Sequence, residues 1–173
     1  LEKFEQNIKN TYPSGVVGYS YAISYLNKVE RFGAGGEARI AADGLKAYTV
    51  ETRQELFSVT KFVTAIAVCK VLGDLGKTLD EKVVNYLPAN WKTHASYNNL
   101  TFEQLLSHKS GFSLEDRDFT SLKKMMTVPQ VATAYNYNNA NYALCRILLP
   151  YMYYGKENYK FDELQGLTET STA

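Results

Sequence analysis

A serine and a lysine three residues apart open the most apolar part of this chain. Ser58 and Lys61 directly precede the apolar residues 62–69. Residues i and i+3 share one helix face, so a helix that starts near Ser58 places its hydroxyl beside the amine. A serine becomes nucleophilic when a base takes its proton, and a lysine of lowered pKa can be that base. The N–H groups at the helix start would also favour an oxyanion.

The same spacing has a simpler interpretation, a serine N-cap followed by a solvated lysine. A second pair of polar residues, Tyr137 and Asn139, precedes another apolar helical pattern. A phenol near ammonium groups can carry protons, and a carboxamide can both donate and accept hydrogen bonds. Asparagine at a helix start is also common capping. The chemical hypothesis therefore requires Ser58, Lys61, Tyr137 and Asn139 to meet in the fold.

A short helix followed by strands is predicted for the first part of the chain. Residues 2–10 have the spacing of a short amphipathic helix, and residues 13–15 end it. Residues 16–26 alternate large and small side chains and predict a strand, with residues 29–33 as its antiparallel partner. Residues 33–36 are glycine-rich, and we interpret them as a bulge or loop. They are not a phosphate loop, because no Lys-Ser/Thr pair or helix follows.

A helical block follows the strands. Residues 58–75 are apolar almost all round, which predicts a buried central helix with one stripe formed by Phe62, Ile66, Cys69 and Leu72. Thr101 and Gln104 form a capping box, which predicts a helix as far as His108. Further helices are predicted from Thr78 to Tyr86, around residues 122–126, and over residues 140–149 with a break at Pro150. Residues 168–172 look like a helix start. The irregular residues 113–130 could line a cleft.

Composition excludes several classes of function. The chain has 173 residues and a net charge of +1, with 19 basic and 18 acidic residues, so no basic stripe indicates nucleic-acid binding. No apolar run has the length of a transmembrane helix. Cys69 and Cys145 lie in apolar helical patterns and are predicted to be buried thiols. Two histidines without a Cys/His cluster predict no metal site, and nothing in the chain predicts a cofactor.

Four ordered blocks of sequence resemble the serine β-lactamase and penicillin-binding-protein superfamily. The resemblance covers roughly residues 16–149 and is closest to the branch of class C β-lactamases, D-alanyl-D-alanine carboxypeptidases, D-aminopeptidases and related esterases. It implies that Ser58 is the acylated nucleophile, Lys61 its proton acceptor, Tyr137 the general base and acid, and Asn139 a contact for the substrate amide and the lysine. The blocks are Ser58-Val59-Thr60-Lys61; Leu79-Asp80 with Val83 and Tyr86-Leu87-Pro88; Leu100-Thr101 with Leu105 to Phe112; and Tyr137-Asn138-Asn139 with Tyr142.

The resemblance also implies an α/β (α+β) fold, in which a helical domain is inserted into a domain built on an antiparallel sheet. Residues 1–57 would supply the N-terminal helix and strands of the sheet domain. Residues 58–173 would supply the active-site helix and an incomplete helical domain. The C-terminal strands of the sheet are expected to be missing, so the chain is expected to be an N-terminal fragment whose sheet a second chain could complete.

A third family motif, Lys or His, then Thr or Ser, then Gly, is expected on a C-terminal strand. Lys109-Ser110-Gly111 has the right composition but precedes Tyr137 and ends a helix, so we do not assign it that role. We interpret His108 as a structural histidine. The resemblance implies a serine acyl-transfer hydrolase acting on a β-lactam, D-amino-acid peptide or ester, located in the periplasm, outside the cell or at its surface. The alternative is a penicillin-binding, sensor or scaffold domain without turnover.

Overall fold

The computed structural model describes residues 1–11, 16–115 and 117–155. The chain forms two compact units, one over Leu1–Glu55 and one that starts at Leu56. Helices combine with an antiparallel sheet, so the predicted fold class is confirmed. No helix within the described ranges is long and apolar enough to cross a membrane. The turn predicted at residues 13–15 and the helix start predicted at residues 168–172 lie outside those ranges.

The first unit is a helix followed by a three-stranded antiparallel sheet. The helix α1 (Glu2–Thr11) precedes the strands β1 (Gly18–Tyr25), β2 (Lys28–Arg39) and β3 (Lys46–Ala47), which pair in sequence order. In this unit Glu5 of α1 accepts hydrogen bonds from Tyr21 and Arg31, at 2.5 and 3.1 Å. The hydrogen bond from Tyr21, followed by the contacts with Lys9 and Arg31, lowers the pKa of Glu5 to about 2. The carboxylate thereby ties α1 to the first two strands.

The prediction of a bulge or loop at residues 33–36 was wrong. These residues lie inside β2, where Gly33 pairs with Tyr21 and Gly35 with Tyr19 of β1. A Cβ atom at Gly33 would lie 2.5 Å from the Tyr21 hydroxyl, and one at Gly35 would lie 2.8 Å from the Tyr19 hydroxyl. The glycines therefore leave room for cross-strand tyrosine rings, and strand pairing outweighs their low intrinsic strand preference.

The second unit is helical. A 3-10 turn (Phe57–Val59) leads into α2 (Thr60–Asp74), and the later helices are α3 (Phe102–Leu106), α4 (Phe119–Met125) and α5 (Ala140–Tyr154). The segment predicted as a helix from Thr78 forms only a 3-10 turn, Val83–Tyr86. The core gathers side chains from all four helices and the turns between them. Its fully buried members include Val68, Leu72, Tyr97, Phe102, Leu105, Leu122, Leu144, Ile147 and Leu148.

The buried face of α2 differs from the predicted stripe. Phe62 and Ile66 are 69% and 52% exposed, and Cys69 is exposed; of the predicted stripe Leu72 is buried, together with Val68. The buried residues share a face with Lys61, and this face packs against α5. Because α2 is apolar almost all round, its hydrophobic pattern could not determine which side faces the core. Cys145, by contrast, is fully buried as predicted, and burial raises its thiol pKa to about 12.

The last helix does not stop at Pro150. α5 continues to Tyr154, with Pro150 inside it. A proline removes one backbone donor and tends to break a helix. Here the following turn buries Tyr151 and Met152 in the core, and the Gly155 N–H bonds the Tyr151 carbonyl at 3.1 Å. Packing of this turn compensates for the hydrogen bond that Pro150 cannot donate.

The capping box predicted at Thr101 is present. Thr101 Oγ1 accepts from the Gln104 N–H at 3.3 Å, and Gln104 Oε1 accepts from the Thr101 N–H at 3.1 Å. Since the box fixes the entry of α3, we expect Thr101→Ala to lower the free energy of unfolding by about 1 kcal/mol. Urea denaturation measures this change. Thr120→Ala, an exposed site in α4, is the control, and equal effects of the two substitutions would contradict the capping role.

Candidate active site

Ser58 and Lys61 lie on consecutive turns of one helical segment. Phe57 opens the 3-10 turn with a φ of 43°, in the left-handed region that residues other than glycine rarely adopt. The Val59 N–H bonds the Leu56 carbonyl at 3.0 Å and closes this turn. Lys61 lies in the first turn of α2, and its Nζ donates to Ser58 Oγ at 3.1 Å. The i, i+3 spacing therefore has the geometric consequence expected from the sequence.

Tyr137 and Asn139 meet the other two residues at the start of α5. The Oη of Tyr137 lies 2.7 Å from Ser58 Oγ, within hydrogen-bonding distance. Asn139 is the N-cap residue of α5, and its Oδ1 accepts from Lys61 Nζ at 2.7 Å. The structure thus brings all four residues singled out in the sequence into one cluster, and the α2–α5 packing brings the distant segments together.

The cluster places a cation beside a phenol. Lys61 Nζ lies 4.9 Å from the centre of the Tyr137 ring and 5.8 Å from that of Tyr142. Its ammonium group, and secondarily the Ser58 hydroxyl, lowers the pKa of the Tyr137 phenol. An amine, a phenol and a hydroxyl in hydrogen-bonding contact can pass a proton among them. The arrangement can therefore remove a proton from Ser58 and later return one to a leaving group.

Two further residues contact the cluster, and sequence reasoning did not assign them a role in it. Glu115 Oε1 accepts from Asn139 Nδ2 at 2.9 Å, which orients the carboxamide so that its oxygen faces Lys61. Tyr142 donates to the Leu106 carbonyl at 2.9 Å and places its ring near Lys61. Glu115 lies in an irregular loop that carries no periodic signal. Tyr142, however, follows Asn139 by three residues, and this spacing on α5 could have indicated it.

A cavity of about 630 Å³ adjoins the cluster. Lys61 and Asn139 form part of its wall. Arg117 and Asp118 also line it, and they belong to residues 113–130, which were predicted to line a cleft. Its other lining residues are Phe57, Thr60, Thr64, Tyr142, Ala143 and Arg146. This volume is in the range of small-molecule sites. In the described parts of the chain, no cluster of three His, Cys, Asp or Glu residues could hold a metal ion.

Lys109-Ser110-Gly111 occupies the turn that follows α3. The Lys109 N–H bonds the Gln104 carbonyl at 2.7 Å, Ser110 is buried, and Gly111 has a φ of 67°. A Cβ atom at Gly111 would lie 2.8 Å from the Val131 carbonyl oxygen, so glycine is needed at this position. These residues form a turn and not a strand, in agreement with the reason for excluding them as the third motif.

Comparisons with known proteins bear on the fold and the family of this chain. The chain resembles the octameric penicillin-binding protein homologue from Pyrococcus abyssi, with 20% sequence identity and a TM-score of 0.66. The alignment covers 96% of this chain and 41% of that protein, and at this identity the likeness shows the fold. No curated protein matches the sequence. The family model described as Beta-lactamase matches residues 4–157, most of the sequence, and this chain therefore belongs to the β-lactamase family.

Proposed function

We propose that this protein is a serine acyl-transfer hydrolase that forms an acyl-enzyme on Ser58. The observation that carries the proposal is that Ser58 Oγ lies within hydrogen-bonding distance of both Lys61 Nζ and Tyr137 Oη. Membership of the β-lactamase family and the likeness to a penicillin-binding protein homologue support this chemistry. The proposed substrates are β-lactams, D-amino-acid peptides or esters, as in the branch that includes class C β-lactamases.

In the proposed mechanism, the Lys61–Tyr137 pair carries one proton fewer than an ammonium and a phenol together, and it takes the single Ser58 proton through Lys61 as Oγ attacks the substrate carbonyl carbon. The carbonyl π electrons move to oxygen, and the Ser58 N–H is one donor for the resulting oxyanion. When the C–N or C–O bond breaks, Tyr137 gives a proton to the leaving group. Tyr137 then takes a proton from a water molecule as the water oxygen attacks the acyl carbon, the bond between that carbon and Ser58 Oγ breaks, and the proton taken from water passes to Oγ. Asn139 holds the Lys61 amine and contacts the substrate amide.

The proposal concerns the whole protein that contains this chain. The chain spans 41% of the length of its structural neighbour. A second oxyanion donor and a contact for a substrate carboxylate are proposed to come from a further segment, so residues 1–173 alone are expected to turn over little substrate. Residues 1–57 and 58–173 are the proposed contributions to the sheet domain and the helical domain. We place the protein in the periplasm, outside the cell or at its surface.

A fluorescent penicillin and an activated ester test the proposal on the longest natural protein that contains this chain. We expect a covalent label on Ser58 that hydrolysis later removes. A label that stays on Ser58 and is not removed by hydrolysis during the assay would instead favour the penicillin-binding or sensor alternative. A folded protein that neither reagent labels would contradict the proposed function.

Asn139→Ala tests how Lys61 is held. Removing the Oδ1 acceptor deletes a hydrogen bond to a charged group, worth ~1.5–3 kcal/mol, so we expect acylation to slow by about 10- to 100-fold. Asn139 makes no side-chain capping bond, so α5 should remain folded. The matched control is Asn136→Ala, because the Asn136 side chain is exposed and its backbone N–H bond remains. Stopped-flow acylation and thermal unfolding measure both variants; equal rates in the two would contradict the assigned contact.

A further inference from the structure

His108 packs directly beneath the phenol of the candidate site. It lies in the turn after α3, with a φ of 59° and only 8% of its surface exposed. Its ring centre lies 4.6 Å from that of Tyr137, and the two ring planes meet at 30°. The rings of Tyr142 and Tyr135 lie 5.3 and 6.1 Å away. The imidazole is thus one wall of the space that Tyr137 occupies.

His108 also holds the backbone on both sides of Tyr137. Its carbonyl accepts from the Asn136 N–H at 2.9 Å, and its Nδ1 accepts from the Asn138 N–H at 3.1 Å. The segment that carries Tyr137 is otherwise irregular. One residue therefore fixes the two peptide groups that flank the phenol and also contacts the face of its ring.

This arrangement requires a neutral imidazole. Two N–H groups approach Nδ1, that of the Asn138 backbone at 3.1 Å and the Asn141 Nδ2 at 3.3 Å. A proton on Nδ1 would face these donors and leave the Asn138 N–H without its acceptor. Burial, followed by the nearby Lys61 charge, lowers the His108 pKa below 6.5. The His108 imidazole contacts the ring of Tyr137 and would act on the site by holding that ring in place, which is a different role from proton transfer to Ser58.

We propose that His108, as a neutral imidazole, is a positioning residue that aims the Tyr137 phenol at Ser58 and Lys61. The positioning effect on acyl transfer rests on the proposed function, but the effect on Tyr137 itself does not. If His108 is changed, the phenol loses its fixed approach to the Lys61 ammonium. Because that ammonium is the largest cause of the lowered Tyr137 pKa, the pKa should rise toward the ordinary value near 10.

Two substitutions separate the hydrogen bond accepted by His108 Nδ1 from the contact that its ring makes with Tyr137. His108→Asn keeps an acceptor close to the position of Nδ1 and tolerates a positive φ, but it removes the ring. His108→Phe keeps a ring and removes the acceptor. His94→Asn is the matched control, because the exposed His94 also accepts a backbone N–H through Nδ1, from Ser96, outside this site. Circular dichroism and thermal unfolding establish that each variant is folded.

The readout is a pH titration of the chain labelled with ¹³C at tyrosine Cζ, with the Tyr137 signal assigned by its loss in Tyr137→Phe. We expect a higher Tyr137 pKa in both His108 variants and an unchanged one in His94→Asn. An unchanged Tyr137 pKa in the folded His108 variants would overturn the inference. If Ser58 is never acylated while the Tyr137 pKa responds in this way, the inference stands and the proposed function fails.

The wild-type chain provides a second test that needs no folded His108 variant. Protonation of His108 below pH 6.5 should shift the Tyr137 signal with the same midpoint as the His108 ¹³Cε1 signal. The groups that face His108 are the Lys61 ammonium and the phenols of Tyr135, Tyr137 and Tyr142. The Glu115 carboxylate also acts on Tyr137, so the titration is repeated in Glu115→Gln. A Tyr137 signal that does not follow His108 protonation would contradict the proposal.

Discussion

Ser58→Ala is expected to abolish acyl transfer by the intact protein. The substitution removes the only atom proposed to form the covalent bond, while Lys61 and Tyr137 remain in place. We expect the hydrolysis rate of an activated ester or a β-lactam to fall by on the order of 10⁴-fold or more. Initial rates under single-turnover conditions measure the loss directly.

Ser113→Ala is the matched control for this substitution. Ser113 is an exposed serine in the same helical unit, so the rate of Ser113→Ala should stay within about twofold of wild type. Thermal unfolding should be unchanged in both variants. Wild-type activity in Ser58→Ala would mean that another group is the nucleophile, and the proposed mechanism would then be wrong.

Lys61→Met is expected to have the second largest effect. Methionine preserves much of the side-chain length on α2 but removes the amine that contacts Ser58 and Asn139. We expect acylation to slow by about 10³-fold or more, because a positioned proton acceptor contributes about 10²–10⁴-fold and Asn139 also loses its partner. Lys70→Met is the control, since Lys70 is an exposed lysine of the same helix paired with Asp74.

The Lys61 variant also has a defined effect on pH dependence. The Lys61 ammonium lowers the Tyr137 pKa, so the phenolate forms at lower pH than in a free tyrosine. Without the ammonium the Tyr137 pKa rises, and the increase in residual activity with pH should move to higher pH. Lys61→Arg keeps a cation but accepts no proton, because the arginine guanidinium stays protonated in proteins. It should therefore retain a lowered Tyr137 pKa yet remain slow; a fast Lys61→Arg variant would contradict proton transfer to the lysine.

Local sequence patterns predicted much of the site. The contact between Ser58 and Lys61 joins residues one helical turn apart. The capping contacts between Thr101 and Gln104 likewise join residues three positions apart. Both could therefore be predicted from neighbours in sequence. The convergence of Tyr137 and Asn139 with them depends on α2–α5 packing. Periodicity does not determine this packing, and the expectation came from the resemblance to a family.

The differences from the predicted fold have a common physical cause. The face of α2, the passage of α5 through Pro150 and the inclusion of Gly35 in a strand all depend on tertiary partners. An apolar pattern on every side of α2 does not identify the buried side, and local proline or glycine preferences do not include the packing of Met152 or Tyr19. His108 contacts Asn136 and Asn138 from a distant turn, so its position could not be predicted from its neighbours in sequence.

The most direct test of the central claim is to identify the acylated residue. The intact protein is incubated with a fluorescent penicillin or activated ester, quenched in acid, digested and analysed by tandem mass spectrometry. We expect one stoichiometric adduct on Ser58, absent from Ser58→Ala and formed far more slowly in Lys61→Met. A stoichiometric adduct on another residue, with Ser58 unmodified in folded protein, would contradict the central claim.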